Sequence, residues 1–294
     1  MAGTDWKLET ATRARLGESP LWNQREGALY WIDFYGPTVH RLLPASGIHQ
    51  SWRLSGANTV GSIAFANDGR LIVALDNGLK LFDPRDQSLI GFADPGGGRD
   101  GIGYNDAKVD RTGRYWVGTY DIAETAPRGI LYRVELNGEA HVAESGYVVC
   151  NGPAFSPSGD KLYFSDTVGR QLIAYNLEAK SGRLTSRRIF AHIGDDEGFP
   201  DGLTVDSEGC LWCSHYAGGR VTRFAPDGTR LTVLRLPVCN VTSLCLGGVD
   251  LRTLFVTTGW SSDLPGVAMR DDGGGAIFSC RVEVSGLEEP SYGS

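Results

Sequence analysis

A polar-then-apolar pattern returns six times along this chain. In each case a small or polar residue precedes an apolar one by four positions, and a turn and a hydrophobic run follow. The six openings are Glu18-Ser-Pro-Leu-Trp22, Gly61-Ser-Ile-Ala-Phe65, Asn105-Asp-Ala-Lys-Val109, Asn151-Gly-Pro-Ala-Phe155, Asp201-Gly-Leu-Thr-Val205 and Thr242-Ser-Leu-Cys-Leu246. Five pass through a Gly-containing turn, such as Asn-Asp-Gly-Arg at 67–70 or Ser-Pro-Ser-Gly at 156–159. The hydrophobic runs begin near Leu29, Leu71, Tyr115, Leu162, Leu211 and Leu254, which lie 42, 44, 47, 49 and 43 residues apart. That is the repeat length of a propeller blade. The pattern predicts an all-β fold: a six-bladed β-propeller with four-stranded antiparallel blades, forming one domain over residues 1–294.

Within a repeat, period-2 alternation and turn residues divide the chain into four short strands. For the fourth blade these are expected at 154–156, 161–166, 170–176 and 187–191, and for the fifth at 203–205, 210–215, 220–224 and 231–236. The sixth repeat supplies strands at 252–257 and 275–284 but no outer strand. The segment 6–13 has no blade of its own, so it is expected to pair outside 275–284 and close the ring, leaving no open seam. Longer connections at 94–104, 121–129, 192–200 and 259–275 are the loops on a rigid ring expected to carry binding, and the first and third, which lead into the strands of Asn105 and Asp201, are expected at the rim of the channel mouth.

Composition changes this picture little. Forty glycines suit a chain with a tight turn between most strands. The net charge is −7 with no basic stripe, which argues against a nucleic-acid partner. No apolar run approaches membrane-spanning length, and the N-terminus lacks the apolar core of a signal peptide. A cytoplasmic location is expected. Cys210 and Cys213 flank Leu-Trp in one strand and so point to opposite faces, which suits neither a zinc pair nor a disulfide. Most of the six cysteines read as small buried hydrophobes in a reducing compartment. The five histidines show no metal-ligand spacing. His215 reads as structural, and His192, in a rim loop, as a possible substrate contact.

A ring of six blades points six strand starts at one channel. Four of those starts carry Glu18, Asn105, Asn151 and Asp201. Glu18, Asn151 and Asp201 share one register, and two carboxylates with an amide oxygen suit a divalent cation. Polar residues lining a wet channel are the bland alternative. Carboxylates crowded around an axis repel one another, and a cation relieves that. Such an ion polarises a carbonyl and lowers the pKa of a bound water, the two requirements of ring-ester hydrolysis. Asp201 is expected to orient or deprotonate that water while contacting the ion, and Asn105 to hold either a substrate hydroxyl or a further water. There is no Gly-x-Ser-x-Gly elbow to offer a serine nucleophile.

These motifs resemble the senescence marker protein 30 / gluconolactonase / luciferin-regenerating family. The resemblance runs from about residue 11 to 284 and is carried by Leu16-Gly-Glu-Ser-Pro-Leu-Trp22, Asn105-Asp-Ala-Lys-Val-Asp110, Gly113-Arg-Tyr-Trp-Val-Gly-Thr119, Asn151-Gly-Pro-Ala-Phe-Ser156 and Phe199-Pro-Asp-Gly-Leu-Thr-Val-Asp206. It implies a six-bladed propeller that holds one divalent metal (Ca2+, Zn2+, Mn2+, Mg2+ or Fe2+) through Glu18, Asn151 and Asp201. It further implies hydrolysis of a sugar lactone to the aldonic acid, with Asp201 as general base and Asn105 binding substrate. Hydrolysis of another lactone or ester is the alternative, as is a non-catalytic metal-binding propeller. The expected partner is a small lactone, and the expected state a monomer or weak homo-oligomer. The chain departs from the family at Gly103, where many members carry a sugar-contacting Arg. Arg99 or Tyr104 in the same loop are the expected substitutes for part of that contact.

Overall fold

The computed structural model describes residues 4–97, 99–260 and 273–294. Its elements are β-strands in six four-stranded antiparallel sheets. Blade 1 comprises Gly17–Asn23, Ala28–Asp33, Thr38–Leu43 and Ile48–Arg53; blade 2 comprises Val60–Phe65, Leu71–Leu75, Gly78–Phe82 and Leu89–Ala93. Blade 3 holds Ile102–Val109, Tyr115–Asp121, Gly129–Val134 and Ala140–Tyr147, and blade 4 Cys150–Phe155, Lys161–Asp166, Gln171–Leu177 and Leu184–His192. Blade 5 holds Phe199–Val205, Leu211–Tyr216, Arg220–Phe224 and Arg230–Arg235. In each of these the strands lie side by side in chain order, from hub to rim. The second strands begin within one residue of the positions that the hydrophobic runs predict.

The second strands are buried on both faces because every blade is sandwiched between two others. Leu71–Leu75, for example, is apolar and buried throughout, whereas the outer strand Arg230–Arg235 is mostly exposed. The core is correspondingly divided into six apolar layers, one per gap between blades. Tyr30, Ile63 and Val73 meet between blades 1 and 2, and Trp22, Trp31 and Phe255 close the gap between blades 6 and 1.

Blade 6 contains Val241–Gly247, Thr253–Thr258 and Phe278–Arg281, and its fourth strand is Lys7–Leu8 from the N-terminal segment. Lys7 faces Ser279 and Leu8 faces Phe278, so the ring is closed by hydrogen bonds, as expected. The pairing is shorter than the predicted 6–13: only Glu9 and Ala14 continue it, through single bonds to Ile277 and Gly275. The rim loop expected at 259–275 lies largely outside the described residues. Among the described residues no helix is long and apolar enough to cross a membrane, and no disulfide joins the six cysteines.

The C-terminal segment crosses the end of the channel where the inner strands finish. Lys108 Nζ lies 3.1 Å from Glu289 Oε1, the Glu288 carbonyl accepts from Arg111, and Tyr292 N–H donates to the Phe65 carbonyl. The tail thereby ties blades 2 and 3 together at the base, so that the opposite end is the open mouth.

Candidate functional site

Each inner strand starts at the mouth and is interrupted just after its start. Pairing with the second strand slips between Glu18 and Leu21, Val60 and Ser62, Tyr104 and Ala107, Asn151 and Ala154, Pro200 and Leu203, and Val241 and Leu244. A bulge bends a strand and re-aims the side chains beside it. Here it turns Glu18, Asn105, Asn151 and Asp201 into one pocket of about 740 Å3 that is open at the mouth. The remaining two openings serve structure. At Gly61 a Cβ would come within 2.7 Å of the Tyr104 carbonyl carbon, so only glycine lets blades 2 and 3 approach. Thr242 is fully buried and donates from Oγ1 to the Gly17 carbonyl at 2.5 Å.

Neighbouring blades hold the bulged backbone in place. Ser62 Oγ donates to the Asn105 carbonyl at 2.7 Å, and Ser165 Oγ to the Asp201 carbonyl at 2.8 Å. The two amide side chains orient each other. Asn105 Nδ2 donates to the Cys150 carbonyl at 2.9 Å and to Asn151 Oδ1 at 2.8 Å. A carbonyl can only accept, so this contact fixes which end of Asn105 is the nitrogen. With both N–H bonds engaged, Asn105 has its Oδ1 left to accept from a ligand. Asn151 Nδ2 donates in turn to Thr167 Oγ1 at 2.9 Å, leaving the second lone pair of Asn151 Oδ1 available.

Glu18 and Asp201 are almost fully buried, and among the described residues no Lys, Arg or His lines the pocket. Burial pushes the Glu18 carboxyl well above its usual range, with the nearby Asp201 and Asp106 adding to it and the Ser19 amide opposing. Asp201 is pushed up in the same way, by burial first and then by Asp106 and Glu124. Asp106, buried beside them, is raised to about 6, mainly by burial, with Lys108 the leading opposing influence. Like charges held together out of water bind either protons or a cation. Among the described residues no three His, Cys, Asp or Glu side chains form a metal-sized group, so a cation here must also enlist the amide oxygen of Asn151.

Of the expected site residues, Glu18, Asn105, Asn151 and Asp201 come together; Tyr104 and Arg99 do not line the pocket. Tyr104 precedes Asn105 in the strand and points to the opposite side, into the apolar layer with Ala107 and Val117. Its hydroxyl accepts from Gly96 N–H at 2.7 Å and donates to Asp94 Oδ1 at 2.8 Å, so it pins a rim loop. Arg99 Nη2 donates to the Arg128 carbonyl at 2.9 Å, joining two rim loops to each other. His192 ends the outer strand of blade 4 and is exposed there, away from the pocket. His215 is buried, bonds the Glu197 carbonyl through Nδ1 at 2.9 Å and is lowered to about 4 by burial, as befits a structural imidazole.

Residues that sequence reasoning passed over form the walls. Phe34, Tyr35, Glu124, Thr167, Val168 and Tyr216 lie at or just beyond the ends of second strands. A second strand returns antiparallel to the mouth, so its end was the available signal. Tyr120, the penultimate residue of one such strand, pairs with Gly103 across the sheet. A Cβ on Gly103 would fall within 2.8 Å of Tyr120 Cζ, so the absent side chain makes room for that ring. Arg15 and Arg170 stack on Tyr35 and Phe199 at 4.5 and 4.0 Å, against the aromatic walls.

Residues 16–259 match the model of the SMP-30/Gluconolactonase/LRE-like region. The chain is 35% identical over 278 residues to the 6-deoxy-6-sulfogluconolactonase of Pseudomonas putida, covering 94% of each protein. It is 31% identical over 289 residues to the pentonolactonase of Haloferax volcanii, covering 96% of each. The crystal structure of a calcium-binding protein, regucalcin, from Agrobacterium tumefaciens superposes with a TM-score of 0.92 at 26% identity, covering 99% of this chain and 98% of that one.

Proposed function

The chain belongs to the SMP-30/gluconolactonase/LRE-like family, and from that premise we propose that it hydrolyses a sugar lactone to the open-chain acid in a divalent-cation-dependent reaction. One observation carries the reading. Bulges in separate blades turn Glu18, Asn105, Asn151 and Asp201 into a single pocket whose buried carboxylates have no lining Lys, Arg or His among the described residues. The donor set suits a cation, since Glu18, Asn151 and Asp201 offer only oxygen ligands and two negative charges. When bound, a divalent cation supplies charge to balance the oxyanion that forms on the lactone carbonyl.

The chain's own groups do the rest. Asn105 Oδ1 accepts from a sugar hydroxyl and so sets the ring's orientation. Asp201 takes a proton from water as its oxygen bonds to the carbonyl carbon. The bond between that carbon and the ring oxygen then breaks, and the proton on Asp201 passes to the departing oxygen as a hydroxyl. Lactone and water become hydroxy acid, and the carboxylate is regenerated. The aromatic walls keep bulk water from the carbonyl. The thiol-rich, disulfide-free chain fits a reducing, cytoplasmic compartment.

The test is acid release from a panel of five- and six-membered aldonolactones, corrected for spontaneous opening. We expect a cation-dependent rate on at least one of them. No rate above that of the cation alone on any lactone overturns the reading and leaves a binding propeller in its place.

A further inference from the structure

The channel pocket does not end at its mouth. A second, open cleft of about 1610 Å3, counting its solvent side, extends from it over blade 2. The two share Tyr35, Tyr120, Glu124, Val168 and Phe199, so a ligand in the channel has a continuous path into the cleft. Gly103 also lines the cleft. With no side chain there, the Tyr120 ring lies across the backbone, an aromatic partner for a strand glycine. Phe34 packs edge-on against that ring at 6.0 Å and fixes its plane. The space that a side chain at 103 would take is filled by the Tyr120 ring, which forms a wall common to the channel and the cleft.

The far wall is polar and preorganised. Asp76 accepts from Asn58 N–H at 3.1 Å and from Asn58 Nδ2 at 2.7 Å, and Thr59 lies beside them. A carboxylate has lone pairs beyond these, available to further hydroxyl donors. The near wall is apolar: Ile122 is 57% exposed and Val168 is 41% exposed, both facing the cleft. Apolar and aromatic faces beside fixed hydrogen-bond acceptors suit a sugar ring, which presents C–H faces and a hydroxyl edge. Among the described residues neither channel nor cleft is lined by Lys, Arg or His, while Glu124 and Asp76 add negative charge. An anionic substituent would therefore meet the Glu124 and Asp76 carboxylates at the lining, while the Arg15 and Arg170 guanidiniums are held on the rings of Tyr35 and Phe199.

We propose that the cleft over blade 2 is a second sugar subsite, so that the preferred substrate is an uncharged aldonolactone carrying a further hydroxylated ring: the lactone of a disaccharide acid. What occupies the channel rests on the lactonase reading above; the subsite itself rests on the continuity of channel and cleft along Tyr35, Tyr120 and Phe199 and on the Asn58–Asp76 wall.

The experiment compares wild type and Thr59→Trp, whose indole fills the cleft, on glucono-δ-lactone, its 6-phosphate and the lactone of cellobionic acid. For wild type we expect kcat/KM about tenfold higher on the cellobionic lactone than on glucono-δ-lactone, and lowest on the phosphate. Thr59→Trp removes that advantage through KM and leaves glucono-δ-lactone unchanged; Ile122→Ala loses a smaller part of it. Equal rates on the mono- and disaccharide lactones, a preference for the phosphate, or equal damage by Thr59→Trp to both overturns the proposal. Calorimetry with cellobiose and glucose separates the two readings. If wild type opens no lactone yet binds cellobiose more tightly than glucose, and Thr59→Trp abolishes the difference, lactone hydrolysis falls and the subsite stands. If lactones open but neither lactone rates nor binding favours two rings, the subsite falls alone.

Discussion

Buried carboxylates occur at both ends of this channel, and they are treated in opposite ways. At the base, Asp110 Oδ2 accepts from Arg114 Nε and Trp116 Nε1, both at 2.9 Å, while its Oδ1 takes the Thr112 amide and hydroxyl. Asp206 is a near copy two blades on, accepting from Trp212 Nε1 and Arg223 Nε at 2.8 Å and from the amides of Glu208 and Cys210. Nearby, Lys108 and Glu289 pair under the hub. At the mouth, Glu18 and Asp201 are as deeply buried, yet the nearest charges acting on them are other carboxylates. The group is the same and both ends are buried; the difference is that the base carboxylates face Arg and Trp donors, whereas those at the mouth have backbone amides and other carboxylates. Carboxylates clasped by Arg and Trp staple turns, whereas carboxylates facing one another favour a ligand of opposite charge.

The sharpest attempt to break this comparison exchanges the expected losses. Asp206→Ala leaves the Trp212 N–H and two backbone amides without their acceptor and Arg223 with Glu208 alone, so stability should drop by about 3 kcal/mol in urea unfolding, with turnover per folded molecule retained. A loss below about 1 kcal/mol would mean that the base carboxylates are not staples. Asp201→Asn should do the reverse. Turnover falls about 100-fold or more as the base is lost, while thermal unfolding shows no destabilisation because a repelled charge has gone. Near-normal turnover in this variant would move the base elsewhere.

The mouth alone should respond to divalent ions. At an ion concentration about ten times Kd, stability should rise by about 1.4 kcal/mol over chelator-treated protein. Glu18→Gln should abolish most of that rise, and Asp110→Asn should leave the ion-dependent increment intact. An unchanged melting curve across calcium, magnesium, manganese and zinc would remove the cation from the site.

The smallest effect tests the rule where no ligand is expected. His40 is buried against Trp31 with His49 beside it, and burial lowers it from 6.5 to about 4. Its folded pKa lies below the unfolded one, so the unfolded chain binds the extra proton and stability is lost as pH falls from 6.5 toward 4. The share of His40 is about 1 kcal/mol between about pH 6 and 5, and His40→Gln should lessen the slope by that much while the share of His215, lowered in the same way, remains.

Particular residues show how far reading the sequence reaches. Glu18, Asn105, Asn151 and Asp201 were legible because they open successive repeats, and a ring superposes what a repeat aligns. Tyr104 and Arg99 were read by proximity to Asn105; Tyr104 is its strand neighbour and so faces the opposite side, and Arg99, in the loop before that strand, is tied to the Arg128 carbonyl. Glu124 and Tyr120 were hidden because their repeat position is the far end of a second strand. That end returns to the mouth only once the blade is folded.

The order and number of blades, their antiparallel strands and the closing role of the N-terminal segment follow from the chain's periodicity, since alternation and turn spacing are local properties. The tertiary structure decided which carboxylates face one another. Asp110 finds its clasp locally, in Arg114 and Trp116 four and six residues on, whereas Asp201 meets Asp106 and Glu124 only across blades. It also decided that the space above Gly103 is filled by the Tyr120 ring, which becomes a wall common to the channel and the cleft. Burial, repulsion and the shape of a cleft are sums over residues far apart in the chain, and only the closed ring brings those residues within range of one another.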